Sequence, residues 1–145
     1  MALADDIRQR LADRVSALGG RVHLAANMAA LQKSASWPTQ TPAAHVVPMG
    51  LAGGAATPLT GVYRQAVARL YSVFVTIRTH DATGARWMDR IEDLDQQILG
   101  ALLGWGPEPP HFAFELRRIA TIRFETGTLV RELSLAIPDT LEIRQ

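Results

Sequence analysis

The sequence predicts an α+β fold, a mostly antiparallel β-sheet with two amphipathic α-helices packed on one face. Three observations predict it. Two segments carry apolar residues at helical spacing. Several others alternate at period two or are rich in β-branched and aromatic residues. Their order is a helix, a short strand and loop, two strands, a helix and two closing strands, which offers both helices one apolar sheet face on which to bury their stripes. At 145 residues the chain fits a single domain, 1–145, and is long enough to bury a sizeable core.

The first helix is expected from about Ala4 to Leu18. Ile7, Leu11, Val15 and Leu18 share one face, Asp5 and Asp6 favour the dipole of the first turn, and Gly19-Gly20 stops the helix. Val22-His23-Leu24 reads as a short strand and Asn27 to Gln32 as a helical turn. The prolines of Trp37 to Pro42 force an extended loop. His45 to Met49 reads as a strand, at an edge because Pro48 lacks an N–H. Leu51 to Gly61, rich in Gly, Ala, Thr and Pro, reads as a loop. Flexible loops are therefore expected at about 33–44 and 51–61.

Val62 to His80 is one long strand. Val67, Tyr71, Val73, Val75 and Ile77 face one way, and Arg64, Ala66, Leu70, Ser72, Thr76 and Arg78 the other. The second helix, about Thr83 to Leu103, carries the stripe Trp87, Ile91, Leu94, Ile98 and Leu102. Asp89, Arg90, Asp93 and Gln97 form its wet side, Asp81 or Thr83 caps its start, and Gly104 ends it. After a proline-rich connector, Trp105 to Pro110, a strand from Phe112 to Glu125 places Phe114, Leu116, Arg118, Ala120, Ile122 and Phe124 on one side. A turn at Thr126-Gly127-Thr128 leads to a last strand, Leu129 to Ile137, and Pro138-Asp139 ends the ladder.

Composition narrows the function. The formal net charge is +1, so nothing in the overall charge draws the chain to nucleic acid or an anionic membrane. Of 15 basic residues, all but Lys33 are Arg. That bias has two readings: a GC-rich coding sequence, or selection for interface ion pairs, which the planar guanidinium suits. There are no cysteines, which excludes disulfides, thiolate chemistry and Cys-based zinc sites. The N-terminus lacks the basic-then-apolar pattern of a signal peptide, and no apolar run approaches the roughly 20 residues that span a bilayer.

No catalytic, cofactor or metal site is expected. Gly50-Leu51-Ala52-Gly53-Gly54 lacks the Lys-Ser/Thr of a phosphate loop, and no Gly-x-Ser-x-Gly elbow occurs. His23, His45, His80 and His111 lack the i, i+4 spacing of a helical metal site and read as edge or surface residues, although a folded cluster of two or three stays open. Glu92, Asp93 and Asp95 share a helix with Arg86 and Arg90 and read as a solvated face. Arg117, Arg118, Arg123 and Arg131 lie near Phe112, Phe114 and Phe124, as in a nucleic-acid-binding sheet, but the phenylalanines read as core. Arg118 shares their parity, which points to a bulge or to cover by a neighbouring subunit.

Taken in order, the segments resemble the tail-terminator (tail-completion or neck) proteins of long-tailed bacteriophages and gene-transfer particles. The resemblance rests on Ile7-Arg8-Gln9-Arg10-Leu11 running to Gly19-Gly20, on Pro42-Ala43-Ala44-His45-Val46, and on Tyr63-Arg64-Gln65-Ala66-Val67 with Tyr71 to Ile77. It continues through Asp89 to Leu103 with Gly104-Trp105-Gly106-Pro107, and the closing pair Arg123-Phe124-Glu125 and Glu132 to Leu135. It covers nearly the whole chain and is weakest from Leu24 to Thr41.

The resemblance implies a structural virion protein, not an enzyme, assembled in the host cytoplasm. It would form a ring, usually hexameric, that caps the tail tube, ends tube polymerisation and joins the tail to the head connector. Its partners would be copies of itself, the tail tube protein, the head–tail connector and, in a contractile tail, the sheath. Genome DNA would pass through the lumen without sequence-specific binding, and no membrane is involved. The candidate interface residues are Leu51, Thr57 and Leu59 in the loop, Arg64 and Arg69 in the long strand, and Arg117 and Arg118. A head-side neck or head-completion protein is the alternative within this class. A small nucleic-acid-binding domain or a histidine-based enzyme are the alternatives outside it.

Overall fold

The computed structural model describes residues 3–26, 42–78, 88–106, 113–125 and 127–144. The elements are α1 (Leu3–Arg14), a 3-10 turn (Ser16–Leu18), β1 (Val22–Leu24), β2 (Ala43–Leu59), β3 (Val62–Arg78), α2 (Met88–Leu102), β4 (Glu115–Glu125) and β5 (Thr128–Arg144). The five strands form one sheet in the order β1-β2-β3-β5-β4. Only β1–β2 is parallel. The expected fold class therefore holds, α+β with both helices on one face. The expected turn at Asn27 to Gln32, the loop from Trp37, the caps Asp81 and Thr83, Trp87 and the connector beyond Gly106 lie outside the described residues.

Burial of the two helical stripes builds the main core. Ile7 and Leu11 of α1, with Val15 and Leu18 beyond it, are fully buried. They pack with Ile91, Leu94, Ile98 and Leu102 of α2 against Ala44, Val46, Val73, Val75, Leu133 and Leu135 of the sheet. The α-helix stops four residues earlier than the stripe suggests. Val15 leaves the helical basin, at φ −110° and ψ 89°, and the 3-10 turn follows. Tighter 3-10 winding aligns residues three apart, so Leu18 stays on the side of Val15. Gly19 then closes the turn in the left-handed region at φ 57°, a conformation that costs glycine little.

A row of stacked groups ties the helices to the sheet. The Arg10 guanidinium donates to the Ala101 carbonyl oxygen at 2.9 Å and lies 4.9 Å over the Trp105 ring. Trp105 stacks on Phe114 with centroids 6.0 Å apart, and Phe114 meets Tyr71 edge-on at 6.1 Å. Gly104 turns the chain at φ 77°, and its N–H donates to the Phe114 carbonyl while the Phe114 N–H donates to that of Trp105. Trp105→Ala removes the central member of this row and is expected to cost about 2–4 kcal/mol, near the lower range for large aromatic truncations. Chemical denaturation of both proteins checks it; an unchanged midpoint would show that the row is ornamental.

Three strand expectations need correction. Leu51 to Leu59 is not a loop but the second half of β2, and the connection shrinks to Thr60-Gly61, with Gly61 at φ 79°. Low β-propensity misleads here, because the register is imposed by β3, whose residues from Val62 onward pair with it. Two bulges, at Pro48/Gly50 and Gly53/Ala56, absorb the irregular composition. A Cβ on Gly54 would meet the Ala66 carbonyl oxygen at 3.0 Å, so part of the glycine content serves close strand approach. Pro48 does sit at an edge, since β1 reaches only Val46.

β5 likewise does not end at Pro138. It pairs without interruption with β3 as far as Arg144↔Val62. Pro138 is tolerated because β4 starts opposite Ala136, and no described residue pairs with the outer side of β5 beyond it. In β4 the single alternation fails at two bulges, Leu116/Arg118 and Thr121/Arg123. Phe114, Ile119 and Thr121 therefore share the helix side, and Arg118, paired with Ser134, turns to the other face. The parity anomaly of Arg118 has the bulge as its cause.

The second sheet face is also partly buried. Val47, Phe74 and Val130 form a small cluster with Ala25, and Ser72 and Thr76 are buried beside it. Ser72 and Thr76 were expected on this side of β3, and alternation alone does not tell that it is buried here.

Candidate assembly surface

Beyond the helix-covered core, the distal halves of β2, β3 and β5 continue as a three-stranded wing. Between Val62 and Leu70 alone it runs roughly 30 Å, at roughly 3.3 Å per residue. Leu51 to Thr57 and Thr140 to Arg144 are all exposed. Because the β3–β5 register is unbroken, the faces of the wing can be assigned by parity. Tyr63, Gln65, Val67 and Arg69 lie on the helix side with Ile137, Asp139, Leu141 and Ile143. Cross-strand partners share a face, so Leu51, opposite Arg69, lies there too. Arg64, Ala66, Thr140, Glu142, Arg144 and Thr57 occupy the reverse face.

The wing gathers five of the expected interface residues. Leu51 is 56% exposed. Thr57 is exposed opposite Arg64. Leu59 pairs by its backbone with Val62 at the hairpin end. Arg64 binds Glu142 at 3.0 Å and Arg69 binds Asp139 at 2.9 Å. Both pairs are solvent-exposed and of small energetic weight; they link β3 to β5. Arg117 and Arg118 are not part of this surface. They lie at the bulge of β4, the far edge of the sheet, and Arg117 stands 4.0 Å from Glu115.

Sequence reasoning passed over Leu141 and Ile143, 37% and 49% exposed. Two residues apart on β5, they form a short apolar strip on the helix side of the wing, and Leu51 lies on the same side at the β2 edge. Single exposed leucines are ordinary, but aligned ones at an assembly surface are informative. The missed signal was period-two alternation in Leu141-Glu142-Ile143-Arg144, which continues past Pro138.

Two ionisable sites lie elsewhere. Asp95 is not on a solvated face: it is 6% exposed and accepts a 2.8 Å hydrogen bond from Arg131 Nε. Burial raises its pKa, against the lowering effect of Arg131. Arg131 also donates to Thr121 Oγ1 at 3.2 Å. Beside the pair an open recess of about 480 Å³ is bordered by Asp89, Glu92 and Asp93. Among the described residues, no three His, Asp or Glu side chains converge as a metal cage requires, and no helix is long and apolar enough to cross a membrane.

His23 and His45 are brought together as partners on β1 and β2, with ring centroids 5.3 Å apart; His80 and His111 lie outside the described residues. His45 Nδ1 is buried without a partner. Burial, then the neighbouring His23, depress the His45 pKa below 6.5. Its neutral form therefore supports the fold above pH 6.5, and that support fades as pH falls toward the depressed value. His45→Asn is expected to flatten the stability profile between about pH 5 and 7. Denaturation midpoints across that range check it, and parallel profiles would refute it.

A family model described as Phage tail terminator protein matches residues 2–134. Among solved structures, a chain from the virion of a native gene transfer agent (GTA) particle shares the fold, with a TM-score of 0.59 and 17% identity. The match covers 94% of this chain and 93% of that one. No curated protein matches the sequence at a significant level.

Proposed function

Because the chain belongs to the phage tail terminator family, whose members are structural proteins of phage-type tails, we propose that it forms a ring that caps the tail tube. The ring, hexameric in this reading, ends tube polymerisation, presents its other side to the head–tail connector, and lets the genome through its lumen without reading its sequence. In a contractile tail it also meets the sheath. It is a neck component of the virion, assembled in the host cytoplasm.

The observation that carries the reading is the wing. A sheet extension with an apolar strip and edges that no described residue pairs gains nothing for an isolated subunit, and its exposed backbone groups are a template for association. Repeated heterologous contacts close into a ring when the rotation between subunits closes.

Leu51, Thr57, Leu59, Arg64 and Arg69 belong to the subunit contact in this account. Arg117 and Arg118, on the opposite edge of the sheet, are assigned to a different partner surface. Native mass spectrometry of the full chain, alone and with its tail tube protein, tests the proposal. Six-fold species in either sample are expected. A monomer indifferent to tube protein would overturn it.

A further inference from the structure

Among the described residues, nothing pairs with either outer edge of the wing. On the β2 side, no described strand pairs beyond Val46. On the β5 side, β4 reaches only Ala136. Met49 to Leu59 carries no charged residue, although a charge is the common device by which a solvent-facing edge avoids pairing. β2 and β5 each run antiparallel to β3, so they run in the same direction. A neighbour related by rotation about an axis along the strands can therefore lay its β5 beside β2 as a parallel pair. Each added copy leaves one edge of each kind open until the circle closes.

The side chains match the same arrangement. Continuing a sheet across a contact keeps its two faces. With no shift along the strands, Leu51, level with Arg69, then lies beside the neighbour's Ile137, and the neighbour's Leu141, level with Gln65, lies beside Ala56, all on the helix side. Leu51 and Leu141 each lose exposed apolar area in this contact. On the reverse face, Glu142 meets the uncharged Thr57, and β2 carries no charged residue level with Arg144, so no like charges are opposed.

We propose that subunits join head to tail by parallel β-augmentation, the outer edge of β2 (Val47–Leu59) of one copy pairing with the outer edge of β5 (Ile137–Arg144) of the next. The proposal rests on the ring reading above and adds its contact. It also sets the orientation of the ring wall: the helices and the apolar strip share one side of the continuous sheet, and Arg64, Glu142 and Arg144 line the other.

The absence of native cysteine makes the test clean. Ala52→Cys and Thr140→Cys place thiols at exposed sites on the reverse face, away from the apolar strip. A bis-maleimide of roughly 10 Å reach spans neighbouring strands, which lie roughly 4.8 Å apart. Mixing the two single variants of the full chain under conditions where native mass spectrometry detects assembly is expected to give cross-linked heterodimers. Neither variant alone should cross-link, and the double variant should give a ladder ending at the closed ring. Homodimers of Ala52→Cys alone would show a two-fold β2–β2 contact and overturn the proposal, as would intact rings without any cross-link; in the latter case the ring reading survives. Cross-linked ladders that never close support the edge pairing and sink the ring. A chain that stays monomeric with tube protein present overturns both.

Discussion

Replacing Arg131 by alanine is expected to lower the unfolding free energy by about 3–5 kcal/mol, the usual cost of stranding one member of a buried ion pair. Asp95 is the stranded group, 6% exposed and bonded to Arg131 Nε at 2.8 Å. The loss is largest at neutral pH. Burial already raises the Asp95 pKa above its ordinary 3.8, and without the guanidinium the carboxyl relieves itself by taking a proton. A raised acid pKa stabilises the fold below the unfolded value and loses that contribution as pH rises through the folded one. The stability of the wild type relative to Asp95→Asn should therefore climb on acidification and level off below about pH 3.8. Joint replacement, Asp95→Leu with Arg131→Met, should recover most of the Arg131→Ala loss, since an apolar pair avoids the desolvation cost. Urea denaturation of the four proteins between about pH 3 and 8 measures all of this. A loss under 1 kcal/mol for Arg131→Ala would show that solvent reaches Asp95 freely.

The second large effect concerns assembly. Leu51→Asp with Ile143→Asp is expected to weaken subunit association at least about 100-fold, or about 2.8 kcal/mol at tenfold per 1.4 kcal/mol. The proposed contact would then have to bury carboxylates in place of apolar side chains. The isolated subunit should hardly notice: both residues are about half exposed, and surface changes typically stay within about 0.5 kcal/mol each. Sedimentation velocity reads the association and thermal melts read the fold. Rings persisting at wild-type concentrations would remove the apolar strip from the interface.

Much of the architecture was readable because burial leaves a periodic trace. Ile91, Leu94, Ile98 and Leu102 marked the buried face of α2, and Pro48 marked an edge. The errors share a cause. Leu51 to Leu59 and Pro138 to Arg144 extend into solvent, where no core enforces alternation and Gly, Ala and Pro lower the local strand signal. Their strand state is dictated by the partner β3, which is non-local information. The Asp95–Arg131 pair left a trace that was not used. Asp95 follows Ile91 by four positions and precedes Ile98 by three, and Arg131 shares the parity of Leu129 and Leu133. Opposite charges set on two apolar faces imply each other. Of the candidate interface residues, Leu51, Arg64 and Arg69 lie on the wing, whereas Arg117 and Arg118 lie at a bulge on the opposite edge of the sheet, which local alternation does not reveal.

The unbroken ladder between β3 and β5 has a kinetic consequence. β2 and β3 meet across a two-residue turn, so their hairpin can form by local search, on the scale of about 1–10 μs. Pairing Val62 with Arg144 instead requires the chain to return across α2 and β4, a long loop whose closure entropy is spent before the contacts repay it. The hairpin should therefore precede the docking of β5, and folding speed should be set by the later event. Until then the inner edge of β3 stands open along its length, and the strand that closes it also brings the second edge that we propose for assembly. On that proposal a subunit would gain its full capacity to join neighbours only at the last step of its own folding, which would separate folding from polymerisation in time.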